Sequence, residues 1–72
     1  MKPYNENLVR LMHITREMLA IANDGDRDRN DDSCGIVYGV LRDSANRLRK
    51  ITLEEYQNHV ASGTWDGKRP LT

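Results

Sequence analysis

Leu8, Leu11, Thr15, Met18 and Ala22 recur at steps of three and four residues, the spacing of one helical face. Met12 and Leu19 widen that stripe on one side, Ile14 and Ile21 on the other. The pattern predicts a helix over residues 7–22. Asn5 or Asn7 is placed to cap its start, because a short amide oxygen reaches the free N–H groups of the first turn. Gly25, two residues beyond Asn23, suits the left-handed turn that closes a helix.

Asn23 to Asp31 is polar and dense in turn residues, and reads as a loop of about nine residues, slightly longer than most helix connections. Asp31 or Asp32 then offers an N-cap with its charge where the helix dipole favours it. The octet from Cys34 to Leu41 is uncharged, β-branched in part and contains Gly35 and Gly39, so by itself it suits a buried strand. Its continuation decides for a helix. Cys34, Val37, Leu41, Ala45, Leu48 and Ile51 fall on one helical face, and nothing else in the chain offers a second strand. Asp43 and Arg47 add a favourable pair four residues apart. A helix over 32–51 follows, about 30 Å long at 1.5 Å per residue.

Thr52-Leu53-Glu54-Glu55 has the form of a capping box. A short third helix over 53–62, ended by Gly63, competes with a second helix that simply continues through Thr52. Residues 64–72 hold Trp65, Gly67 and Pro70 with little to bury, and read as a flexible tail on a single helical domain of residues 1–63. The fold class expected is therefore all-α: an antiparallel helical hairpin with a short third helix.

A hairpin covers one side of each helix, and both of these helices are apolar on more than one side. Ile36 and Val40 lie off the main stripe, while Gly35 and Gly39 remove side chains where another helix could approach. Gly35, Ile36, Gly39 and Val40 are thus the candidate self-association surface, and a homodimeric four-helix bundle is the expected assembly. Length points the same way. A chain of 72 residues with one cysteine has no internal disulfide to support a small core.

Composition narrows the function classes. Eleven basic and eleven acidic residues leave no net charge, which argues against generic nucleic-acid binding. No apolar run approaches the roughly 18 residues of a membrane span, and the N-terminus lacks a signal-peptide layout, so no membrane partner and a cytoplasmic setting are expected. The charge is nonetheless uneven: Asp24–Asp32 carries −3 and Arg42–Lys50 carries +3. Arg42, Asn46 and Arg49 share a face that could grip a phosphate backbone or an acidic protein, the second reading. The competing description is a solvated face whose arginines pair with the aspartates. Tyr38, Tyr56 and Trp65 do not interleave with the arginines as a stacking platform would require.

A third reading is weak divalent-cation binding by the Asp24–Asp32 loop. Asp24, Asp26 and Asp28 alternate as in the opening of an EF-hand loop. Arg29 then stands where the turn needs glycine, and Gly35 where a bidentate glutamate belongs. The sequence therefore assigns no metal site, no cofactor and no catalytic residues. His13 is four residues before Glu17 and can pair with it, His59 stands alone, and neither joins a set of zinc ligands. Cys34 reads as a small buried hydrophobe, with redox chemistry as the alternative. Ser33 and Ser44 have no histidine close in sequence, and no glycine-rich phosphate loop is present. The expected function is a small helical protein-interaction or regulatory module acting as a homodimer, not an enzyme.

Overall fold

The computed structural model describes residues 1–28 and 31–71, with the side chains of residues 32–34 outside that description. Two helices make up most of it: α1, Pro3–Asp28, and α2, Asp32–Ala61. They run antiparallel, as the contacts between their ends require. Asn5 meets His59 at one end, and Asn23 meets Arg42 towards the other. The molecule measures 48 × 16 × 16 Å, so it is one pair of helices thick.

Both helices are longer than their apolar periodicity suggests, for local reasons. Pro3 occupies the first turn of α1, where its missing N–H costs nothing, and the Lys2 carbonyl accepts from the N–H groups of Asn5 and Glu6 at 3.0 and 2.9 Å. Asn5 is therefore inside the helix and does not cap it. Asn7 accepts from Arg10 at 3.2 Å. At the other end the helix passes straight through Gly25. A Cβ at that position would collide with the Tyr38 ring, so this glycine admits a close neighbour and does not end the helix. Much of the expected loop is thus the last turns of α1.

The separate third helix gives way to a continuous α2. The Thr52 hydroxyl donates back to the Leu48 carbonyl at 2.7 Å, and Glu55 bonds the His59 ring at 3.1 Å, so neither capping-box residue caps a new helix. Gly63 does end the helix, at φ 76°. Its N–H reaches the Val60 carbonyl at 3.1 Å and that of Thr64 reaches His59 at 2.8 Å, the paired bonds of a Schellman motif.

Between the helices lies a seam of small and short polar side chains. Thr15, Ala22, Ala45 and Thr52 are buried, together with Leu8 and Met12. Thr15 satisfies its hydroxyl on the Met12 carbonyl at 2.9 Å. On α2 the seam follows Tyr38, Ala45, Thr52 and His59, one residue every two turns, with Leu41 and Leu48 half-buried beside it. Val37 and Ile51, expected in the core, are exposed instead. The Cys34 side chain, expected there too, lies outside the described residues.

After Gly63 the chain turns back along α1 without regular structure. It buries more than the sequence implies. Leu71 packs into the Leu8–Met12 cluster, with Val9, Leu53, Tyr56 and Trp65 around it. Trp65 meets Tyr56 edge to face, with centroids 4.9 Å apart.

Gly25 gives a clean test of this packing. Glycine inside a helix ordinarily costs about 1 kcal/mol relative to alanine, yet Gly25→Ala should lower the melting temperature because Tyr38 must move. In a Tyr38→Ala background the same change should raise it. Thermal unfolding of the four proteins reads this reversal of sign directly.

Candidate functional site

The two flanks of the hairpin differ in what covers them. Side chains on a helix advance about 100° per residue, so Val9 and Ile14 point about 140° apart on α1, and Leu53 and Ile51 about 160° apart on α2. Val9 and Leu53 pack with Trp65 and Leu71, which places the tail over that flank. Ile14 and Ile21 of α1, and Val37, Val40 and Ile51 of α2, belong to the other flank. Nothing among the described residues covers it: these five side chains are 46–62% exposed, and Ile36 beside them is 70% exposed. Leu11, Met18 and Leu48 lie half-buried at the foot of the same flank.

This open flank overlaps the expected self-association surface and shifts it. Ile36 and Val40 belong to it. Gly39 points about 100° away from Val40, where an added Cβ would meet nothing within 4 Å, and Gly35 lies on the Gly39 side, partly buried. The sequence reading missed Ile14, Ile21, Val37 and Ile51 as surface residues. The missing signal was that the true α2 seam uses Thr52 and His59, which hydropathy does not flag as interior; Thr15 was already on the expected stripe.

The basic face is split. Asn46 and Arg49 are exposed, but Arg42 turns across to α1, donating to Asn23 at 2.9 Å and meeting Asp26 at 3.5 Å. Asp24, Asp26 and Asp28 sit on α1, where residues two apart point about 160° from one another, so the three do not converge. Arg27 holds Asp24 and Asp28 at 3.2 and 3.3 Å. Among the described residues no group of three or more potential metal ligands comes together, and no helix is long and apolar enough to cross a membrane. His13 and Glu17 form no ion pair among the described residues; His13 borders a cleft beneath the tail.

What keeps the tail on its flank is a polar lock around Asn5, which is wholly buried. Its amide nitrogen donates to the Thr64 carbonyl at 2.7 Å and to Asp66 Oδ1 at 2.6 Å. Its oxygen accepts from His59 Nδ1 at 2.7 Å, which places the proton of that ring nitrogen. Both amide protons and the oxygen of the side chain are engaged, and Tyr4 packs edge-on against His59 at 5.4 Å. Asp66 Oδ2 also accepts from the Lys2 N–H at 2.8 Å, which sets a carboxylate at the N-terminus of α1 where the helix dipole favours it. The Asn5 amide, helped by the Lys2 N–H, holds the Asp66 carboxyl below the usual carboxylate range against a smaller opposing effect of burial.

Asn5→Ala should cost about 1–3 kcal/mol, because it strands the partners of a buried amide, and should shift Trp65 emission to the red while helix content changes little. The contribution of Asp66 has a definite sign. A carboxyl with a lowered folded pKa stabilises fully above the ordinary aspartate value of about 4, and that stabilisation is lost as pH falls through the folded value. Acid titration followed by Trp65 emission should show this release, and Asp66→Asn should abolish its pH dependence.

No protein-family model matches this chain, and no curated protein or solved structure matches it either.

Proposed function

We propose that the protein is a small helical interaction module that acts as a homodimer, with the open flank as its interface. The observation that carries this is the distribution of its aliphatic side chains: Ala and Thr are buried, while Ile14, Ile21, Val37, Val40 and Ile51 stand outside together. A contiguous apolar patch of this kind marks an interaction site.

A second copy suits it best, for a reason found in α2. Val37, Val40, Ser44, Leu48 and Ile51 step by three, four, four and three, so the stripe reads the same in both directions about Ser44. An antiparallel copy about a two-fold axis there sets Val37 against Ile51 of the partner subunit and Val40 against Leu48 of the partner subunit. The small Ser44 side chains meet at the axis, where the helices approach most closely. Exposed Asp43 and Arg47 flank the stripe on one side, so that Asp43 comes within two residues' rise of Arg47 of the partner subunit. Such self-complementarity is what a two-fold interface needs. The α1 helices then stack alongside, and the whole is a four-helix bundle.

Sedimentation at micromolar concentrations should give a dimer for the wild type and a monomer for Val37→Asp with Ile51→Asp, both with helical circular dichroism. A wild type that stays monomeric at tens of micromolar would end the proposal. In a Cys34→Ser background, Ser44→Cys should cross-link rapidly under mild oxidation and Ser62→Cys should not. A dimer without the Ser44→Cys cross-link would reject this pairing of the helices.

A further inference from the structure

On the opposite flank, the tail does not lie flush on α1. A cleft of about 650 Å³ separates them, within the size range of small-molecule sites. Val9 and Trp65, both half-buried, supply its accessible apolar walls, above buried Met12 and Leu71. Trp65 is held in position, since its ring is braced edge-on by Tyr56 and lies over Gly67, where an added Cβ would come within 2.6 Å of it. The wall is therefore in place before anything binds.

The rim is cationic. Arg16 from α1 and Lys68 and Arg69 from the tail border the cleft, and none of the three forms an ion pair among the described residues. The acid among the lining residues is Asp66, whose two oxygens already accept from Asn5 and the Lys2 N–H. An apolar slot with unmatched positive charge at its mouth calls for a ligand with an apolar body and an anionic head. The planar guanidinium forks of Arg16 and Arg69 favour a carboxylate, which they can bind through two parallel hydrogen bonds.

We propose that this cleft binds a small amphipathic carboxylate, a free monomeric acid whose alkyl or aryl body lies against Trp65 and Val9 and whose carboxylate meets Arg16, Lys68 and Arg69. The site is independent of the dimer interface, which occupies the other flank. Trp65 is the chain's one tryptophan and lines the cleft, so it reports occupancy without a label.

The test is titration of the full chain with decanoate, decanol and decyltrimethylammonium below their aggregation concentrations, followed by Trp65 emission. Decanoate should give a saturable change, with affinity at least tenfold above the neutral and cationic analogues. Arg16→Ala with Lys68→Ala should weaken decanoate at least fivefold while the unliganded emission and melting curve stay as in the wild type. Lys68→Glu with Arg69→Glu, confined to exposed tail positions, should weaken it further and guards against a fold defect in the first variant. No saturable change with decanoate, an equal response to decanol, or unaltered affinity in both variants would overturn the proposal.

Discussion

The close approach of the two helices depends on what lies between them. Ala22 and Ala45 are fully buried, and Thr15 and Thr52 bury their hydroxyls by bonding them to carbonyls of their own helices. Gly25 does the same near the turn, where the Tyr38 ring rests on bare backbone. A seam this narrow has no room for a row of branched aliphatics, so most of the chain's isoleucine and valine must lie on its flanks. One flank is covered by the tail. The other is left exposed.

The ends of the hairpin are held by polar contacts of different quality. At the open end of the hairpin, Asn5 uses both amide protons and its oxygen within a buried network, so losing it exposes several unsatisfied groups at once. Near the turn, Arg42 reaches Asn23 and Asp26, but these side chains are more than a third exposed or close to it, and such a pair contributes about 0–1 kcal/mol. The strong lock is therefore also the one that docks the tail. Covering the Leu8–Met12 cluster and closing the hairpin ends are a single event in this chain.

Much of the architecture was legible in the sequence: two helices, their antiparallel hairpin, and Gly63 as the stop. The rest was hidden because polar residues do interior work here. Hydropathy placed the α2 seam on Val37 and Ile51, whereas the seam runs through buried Ala45 and Thr52, with Tyr38 and His59 half-buried along it. The rotation is modest, yet it moves two large aliphatics from the core to the surface. Asn5 was misread for a related reason: an amide near a helix start suits a cap, and nothing local says that Thr64, Asp66 and His59 will converge on it. The aspartate run suffered likewise, since helical winding past Gly25 depends on a ring thirteen residues further on. The excess of apolar surface was visible from the sequence; its location was not, because it depends on which flank the tail takes.

That division of labour bears on how assembly can be separated from folding. Half-exposed aliphatics of this size each retain about 1 kcal/mol of unrealised burial, so ten of them across a two-fold interface offer about 10 kcal/mol. The entropy lost on association is about 4–15 kcal/mol. The two are comparable, so the proposed dimer would have a population that responds to concentration and to single substitutions. The contacts that close each hairpin (the Ala–Thr seam, the Asn5 network and the Leu71 cluster) use none of those side chains. A charge placed at Val37 or Ile51 therefore acts on the open flank and leaves the hairpin's own closure intact, so that flank can vary without unmaking the fold that presents it.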